Sequence, residues 1–115
     1  MTDKELLEMA AKAAGIEVGQ ASHIPSGGIW LSELDGDKPW SPLTNDGDAL
    51  RLAVMLQISI SNEHVSAGCS YCTKGFVSFC AIYSGSDEGH VIDSDFAATR
   101  RAIVIAAAEI GKSMP

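Results

Sequence analysis

The residues of this chain whose types best suit chemistry are its cysteines. Cys69 and Cys72 have the Cys-x-x-Cys spacing, and His64, Cys80 and His90 lie nearby in the sequence. Two thiolates at this spacing can chelate zinc from one turn, and a histidine with a third cysteine would complete a tetrahedron. A strong zinc motif has a second compact pair, whereas here the other ligands are scattered. We therefore expect Cys69 and Cys72 to be ordinary cysteines in a loop and core, with a metal or thiol-redox site as the alternative.

Three arginines form a second group that could bind a ligand. Arg100 and Arg101 are adjacent near the start of a predicted C-terminal helix, and Arg51 lies in a predicted second helix. Neighbouring helix positions point about 100° apart, so Arg100 and Arg101 should reach different partners. We expect salt bridges around two helix starts, with Asp46, Asp48, Asp93 and Asp95 as the acids. The alternative is a small-anion or nucleotide site built from the three arginines, although no P-loop pattern accompanies them.

The remaining motifs favour structural roles. Trp40 could stack on such a ligand and is kept as a candidate binding residue, but anchoring of the core or a loop is the interpretation we favour for Trp30 and Trp40. The Asn-Asp-Gly-Asp segment at residues 45–48 lacks the longer ligand ladder of a calcium loop and suits a helix cap better. No nucleophile-elbow pattern frames a serine. The sequence therefore predicts no catalytic residue and no cofactor.

The composition of the whole chain narrows its class. The chain has 115 residues, of which 46% are hydrophobic and 20% charged, and its net charge is −7. This length suits a single domain, residues 1–115, around one core. The acidic balance argues against nucleic acid and anionic membranes as partners. No segment resembles a signal peptide or reaches the ~18 apolar residues of a membrane span, so we expect a cytosolic protein with reduced cysteines.

Caps and helical periodicity predict three helices. Thr2 and Glu5 have the capping-box spacing, and Gly15 is a suitable stop for a first helix over residues 4–14. Oxygens of residues 44–46 can cap a second helix over residues 46–56. A third helix begins near residues 93–95 and runs to about residue 110, before Gly111. The apolar face predicted for the second helix combines Leu50, Leu52, Ala53, Val54, Met55 and Leu56.

Alternating apolar residues predict several short strands. They fall at residues 16–18, 29–31, 58–60, 76–83 and 90–92, with a turn near Asn62 and Glu63 before a further strand through Val65. Residues 33–45 are predicted to be irregular, because Pro39 and Pro42 interrupt them. The order of elements predicts an α+β domain with three helices and a small, mostly antiparallel sheet.

The predicted third helix contains an unbroken apolar run at residues 102–108. A surface helix would interrupt such a run with polar residues, so we expect other elements to enclose this one at the centre of the fold. Three helices and a small sheet could leave part of it uncovered. We therefore predict a homodimer, with a monomer as the alternative.

Two segments resemble one known family. Residues 40–54 read WSPLTNDGDALRLAV, which is similar to the W-x-P-L-x-x-D-G-D-A-L-R-L-A-V segment of the phage ABA-sandwich proteins. Residues 98–111 read ATRRAIVIAAAEIG, which is similar to the A-T-R-R-A-I-V-x-A-A-A-E-I-G ending of that family. The resemblance implies a protein of tailed bacteriophages or prophages, folded as a three-layer α/β/α sandwich. It implies no established activity, catalytic residue or cofactor.

These observations lead to three hypotheses about function, of which the third is a hydrolase or metal enzyme. The first is a non-enzymatic phage or prophage accessory protein that acts in the host cytoplasm through contacts with itself or with a phage or host protein. The second is a small-anion or nucleotide-binding protein, such as one that sequesters a signal used in host defence.

Overall fold

The computed structural model describes residues 2–16, 29–33, 36–63, 69–74, 77–83 and 93–114. In chain order these ranges contain α1 (Asp3–Ala14), β1 (Ile29–Glu33), β2 (Gly36–Trp40), α2 (Asp46–Leu56), β3 (Ser59–Glu63), β4 (Cys69–Lys74), β5 (Val77–Tyr83) and α3 (Asp93–Lys112). The strands β1 and β2 form one sheet, and β3, β4 and β5 form another in that order. All of the described strand pairs are antiparallel. The protein is α+β, as the order of sequence patterns predicts.

Local capping explains where the first two helices begin and end. The Thr2 hydroxyl accepts a hydrogen bond from the Glu5 amide at the start of α1, and Gly15 ends that helix with a φ of 71°. The Asn45 side chain accepts from the Asp48 amide at the start of α2. After α2 the non-glycine Gln57 takes the left-handed conformation, and the Ile58 amide donates to the Ala53 carbonyl. The predicted bounds of both helices are confirmed to within one residue.

The third helix lies at the centre of the described packing. It contacts α1, α2, β4 and β5. The residues of its apolar run are buried except Ile105, which is partly exposed. The prediction that neighbouring elements enclose residues 102–108 is confirmed, and a single chain supplies the enclosure. These contacts do not decide whether the helices lie on both faces of the three-stranded sheet, so the three-layer sandwich stays a prediction.

Gly111 does not end the third helix, as the sequence suggests, but lies inside it. The helix continues to Lys112, and Gly111 is buried. A Cβ atom on Gly111 would collide with the main-chain carbonyl of Met9 in α1 and would lie 3.3 Å from the Ala13 nitrogen. The glycine is therefore needed because the backbones of α1 and α3 approach each other here, not because a helix must stop.

Two predictions about the strands are wrong. Residues 36–40 form β2, which pairs with β1 so that Trp30 lies opposite Pro39. Both strands of a two-stranded sheet are edge strands. A proline is tolerated there because the backbone N–H groups on the outer side of an edge strand have no partner in the sheet. Asn62 and Glu63 lie within β3, opposite Ser70 and Cys69, instead of forming a turn. Val65, residues 17–18 of the strand predicted at 16–18, and the strand predicted at 90–92 fall outside the described residues.

Replacement of Gly111 tests the contact between α1 and α3. In an exposed helix, Gly→Ala stabilises by about 0.8–1.0 kcal/mol. We expect Gly111→Ala to lower the free energy of unfolding instead, by about 1–3 kcal/mol, because the added methyl group overpacks the interface. Urea denaturation measures the change, and Glu109→Ala, at an exposed position of the same helix, is the control. A stability gain for Gly111→Ala would show that the helices are further apart than described.

Candidate functional site

The Cys-x-x-Cys pair lies on a strand and not in a loop. Cys69 and Cys72 are both in β4, where Cys72 is fully buried and lies opposite Cys80 of β5. The zinc hypothesis needs the two thiolates on one turn, and an extended strand does not provide it. Among the described residues, no group of three His, Cys, Asp or Glu side chains could hold a metal ion, and the candidate ligands His64 and His90 lie outside those residues. The prediction that the cysteines lie in a loop is wrong for both, whereas core packing describes Cys72.

Arg100 joins the start of α2 to the first half of α3. Its Nε donates to the Leu43 carbonyl oxygen at 3.0 Å, and its Nη1 donates to Asp46 Oδ1 at 2.6 Å. The Arg100 side chain is 19% exposed, whereas that of Asp46 is 72% exposed. Arg100 therefore donates to a carbonyl just before α2 and forms an ion pair with an acid in the first turn of α2. The predicted pairing of arginine with acid at two helix starts is confirmed for Arg100 and Asp46.

The other two arginines point elsewhere. Arg101 Nη2 lies 3.2 Å from Asp3 Oδ1 at the start of α1, so the adjacent arginines do reach different partners. Arg51 is exposed on α2, and the described structure gives it no hydrogen bond or ion pair. Asp3 is not among the acids that the sequence predicts, and Arg100 and Arg101 pair at the starts of α2 and α1 instead of in one shared network. The three arginines do not come together in one anion site.

The acidic segment at residues 45–48 serves the backbone. Asn45 caps α2, and Asp48 Oδ2 accepts a hydrogen bond from the Ser41 amide at 2.9 Å. These contacts agree with the capping interpretation of the segment. Trp40, the aromatic candidate, is only 5% exposed and belongs to the hydrophobic core. Its burial favours anchoring of β2 over stacking on a ligand.

An apolar groove lies between α2, β3 and α3, and we call it the α2–α3 groove. Its volume is about 600 Å³, within the range of about 300–1,000 Å³ typical of ligand pockets. Ala49 and Ile103 are almost fully buried there, while Leu50 and Phe96 are 61% and 51% exposed. The apolar lining consists of Ala49, Leu50, Ile60, Phe96 and Ile103. An apolar ligand in the groove would contact the buried side chains of Ala49 and Ile103 and would cover the exposed side chains of Leu50 and Phe96.

Polar groups line the rest of the α2–α3 groove. The Thr99 hydroxyl lies within hydrogen-bond distance of Asn62 Oδ1 in β3 and of the Asp95 carbonyl oxygen. Asp95 is 1% exposed, and the groove also includes Asp46 and Arg100. A smaller cavity of about 310 Å³ is lined by Asp46, Asp93, Phe96 and Arg100. We call the part of this surface formed by Asp46, Asp93 and Arg100 the acidic end of the groove, since it carries more carboxylates than cations.

Sequence reasoning found Arg100 but missed the apolar part of this site. Leu50, Val54 and Met55 are 61%, 67% and 54% exposed, although the sequence predicts them on the packed face of the second helix. The buried face is formed by Ala49, Leu52, Ala53 and Leu56 instead. No sequence pattern marks Phe96 as a site residue, because it directly follows the acids that begin α3. A signal was present, since α2 is apolar on more sides than one packed face requires.

No protein-family model, curated protein or solved structure matches this chain. The resemblance to phage proteins therefore stays a prediction based on residues 40–54 and 98–111. None of the described helices is both long enough and apolar enough to cross a membrane.

The three arginines provide a graded test of this description. Arg100→Ala should lower the free energy of unfolding by about 1–2 kcal/mol, because a partly buried side chain loses two charged hydrogen bonds. Arg101→Ala should lower it by about 0.2–1 kcal/mol, as for an exposed ion pair. Arg51→Ala, the control, should change it little. Urea denaturation of the three variants measures the order, and an Arg51 effect as large as that of Arg100 would contradict it.

Proposed function

We propose that this protein is a non-enzymatic binding protein that acts through protein contacts made at the α2–α3 groove. The observation that supports this most directly is the exposure of Leu50 and Phe96 beside a buried apolar floor. Large exposed side chains next to a concave apolar surface typically mark a binding site, because their exposure to water is unfavourable until a partner covers them. Val54 continues the exposed apolar surface along α2 beyond the groove.

The setting we propose follows from the resemblance. The matching segments at residues 40–54 and 98–111 support an accessory protein of a tailed bacteriophage or prophage, acting in the host cytoplasm. A phage or host protein is then the partner. Both segments contribute to the lining of the groove. The first supplies Asp46, Ala49 and Leu50, and the second supplies Thr99, Arg100 and Ile103.

A small-anion or nucleotide site is the second candidate, and the charges at the groove disfavour it. Arg100 already engages Asp46, and Asp93 and Asp95 lie at the same end. Arg51 and Arg101 do not line the groove. An anion would thus meet one engaged cation and the exposed carboxylates of Asp46 and Asp93, which repel it.

A nucleotide screen separates these two functions. We expect ATP, GTP, cyclic nucleotides and inorganic phosphate to leave the melting temperature unchanged, because the groove presents no free cluster of cations. Differential scanning fluorimetry measures the shift, and Arg100→Ala is the matched variant. A rise in melting temperature with one of these anions that is lost in Arg100→Ala would favour the anion-binding function instead.

Substitutions on α2 test the protein-contact function. We expect Leu50→Ser to abolish retention of a partner from phage-infected or lysogenic host cells, because it removes an apolar side chain from the groove. Met55→Ser is the matched control, since Met55 is similarly exposed on the same helix but does not line the groove. Both variants should keep the unfolding midpoint of the wild type. The measurement is the amount of one identified protein retained by each immobilised variant.

The same variants examine the proposed homodimer. The sequence predicts a homodimer because the third helix could be left partly uncovered, but a single chain already encloses that helix. Light scattering that gives a dimer mass for the wild type and a monomer mass for Leu50→Ser would make a second copy the occupant of the groove. Equal retention of every bound protein by all variants, with an unchanged mass, would contradict a contact function for this surface.

A further inference from the structure

We propose that the α2–α3 groove binds an amphipathic, basic segment of a partner protein, with apolar side chains in the groove and a lysine or arginine at its acidic end. This inference rests on the proposed contact function and adds the chemistry of the partner. It depends on three features of the described surface: an apolar groove, an excess of carboxylates at one end, and an apolar stripe that extends past the groove.

The charges at the acidic end call for a cation. Asp46 and Asp93 are exposed beside the exposed ring of Phe96. Arg100 donates to Asp46 Oδ1 through Nη1, but the Asp46 side chain is 72% exposed and can accept further bonds. One guanidinium facing two carboxylates leaves a net negative charge, which an incoming lysine or arginine would offset. The Phe96 ring adds a face on which such a cation can lie.

The extent of the apolar surface calls for a polypeptide. Leu50 lines the groove, and Val54, four residues later, lies on the same side of α2 and is 67% exposed. A small molecule that fills the groove would leave Val54 in water. A helical segment with apolar residues at every third or fourth position can cover both, as in other helix-in-groove complexes.

The same charges argue against a second copy as the occupant. A two-fold dimer contact brings one surface patch against itself. It would bring together two surfaces that each carry the exposed acids Asp46 and Asp93, from two chains that each have a net charge of −7. Like charges brought together in this way weaken association. The negative charge of this surface attracts a basic segment, whereas it repels a second acidic copy of the chain.

Synthetic peptides test the inference directly. The probe is an amphipathic helical peptide with leucines at helical spacing and lysines at both ends, and matched peptides carry glutamine or glutamate in place of lysine. Calorimetry with the full chain should show the lysine peptide binding about tenfold more tightly than the glutamate peptide, with a smaller ratio at high salt. Asp93→Asn should reduce this ratio several-fold. Glu109→Gln, an exposed acid on α3 that does not line the groove, should not.

Each other outcome has a definite meaning. Equal affinity for the three peptides, lost in Leu50→Ser but kept in Met55→Ser, would overturn the basic partner while leaving the contact function in place. Tighter binding of the glutamate peptide would overturn it as well. Binding of the lysine peptide that survives Leu50→Ser would place the peptide outside the groove and count against both proposals. Absence of binding by all three peptides would overturn the inference, and the retention experiment would then decide the contact function alone.

Discussion

The close approach of α1 and α3 is the constraint on which the rest of the structure depends. At Gly111 there is no room for even one methyl group against the main chain of Met9, and Ala10 and Ala11 of α1 are fully buried. Small side chains let two helix backbones come together, so the gain comes from many short contacts instead of a few large side chains. The position of α3 is thereby set, and α2 and the three-stranded sheet pack against it.

The groove is a consequence of how α2 is attached to that central helix. Arg100 holds the start of α2 through the Leu43 carbonyl and Asp46, and one face of α2 packs inward through Leu52 and Leu56. Leu50 then faces the side where Phe96 emerges from α3. The arginine that the sequence suggests as a ligand residue thus shapes the site chiefly by positioning its walls. Its charge is largely committed to Asp46, which is why the groove remains acidic.

The parts of the fold that could be predicted are those encoded locally. Thr2, Gly15 and Asn45 cap their helices with neighbours a few residues away, so short patterns suffice. In contrast, β4 is the central strand of its sheet and owes its state to pairing with β3 and β5 on both sides. The partner of Arg101 could not be predicted from local sequence either, because Asp3 comes close to Arg101 only when α1 packs on α3. Such long-range contacts leave no local periodicity in the sequence.

The candidate site also depends on packing that the sequence of a single helix does not reveal. Both α2 and α3 are apolar over more than one face, and one physical rule predicts that such helices are enclosed. The rule holds for α3, whose apolar run is buried by the rest of the chain. It fails for α2, where Leu50 and Val54 remain exposed. The rule therefore describes one helix and not the other, and the exposed face of α2 is the surface where the proposed partner would bind. The acids beside it then favour a basic partner over another copy of this acidic chain.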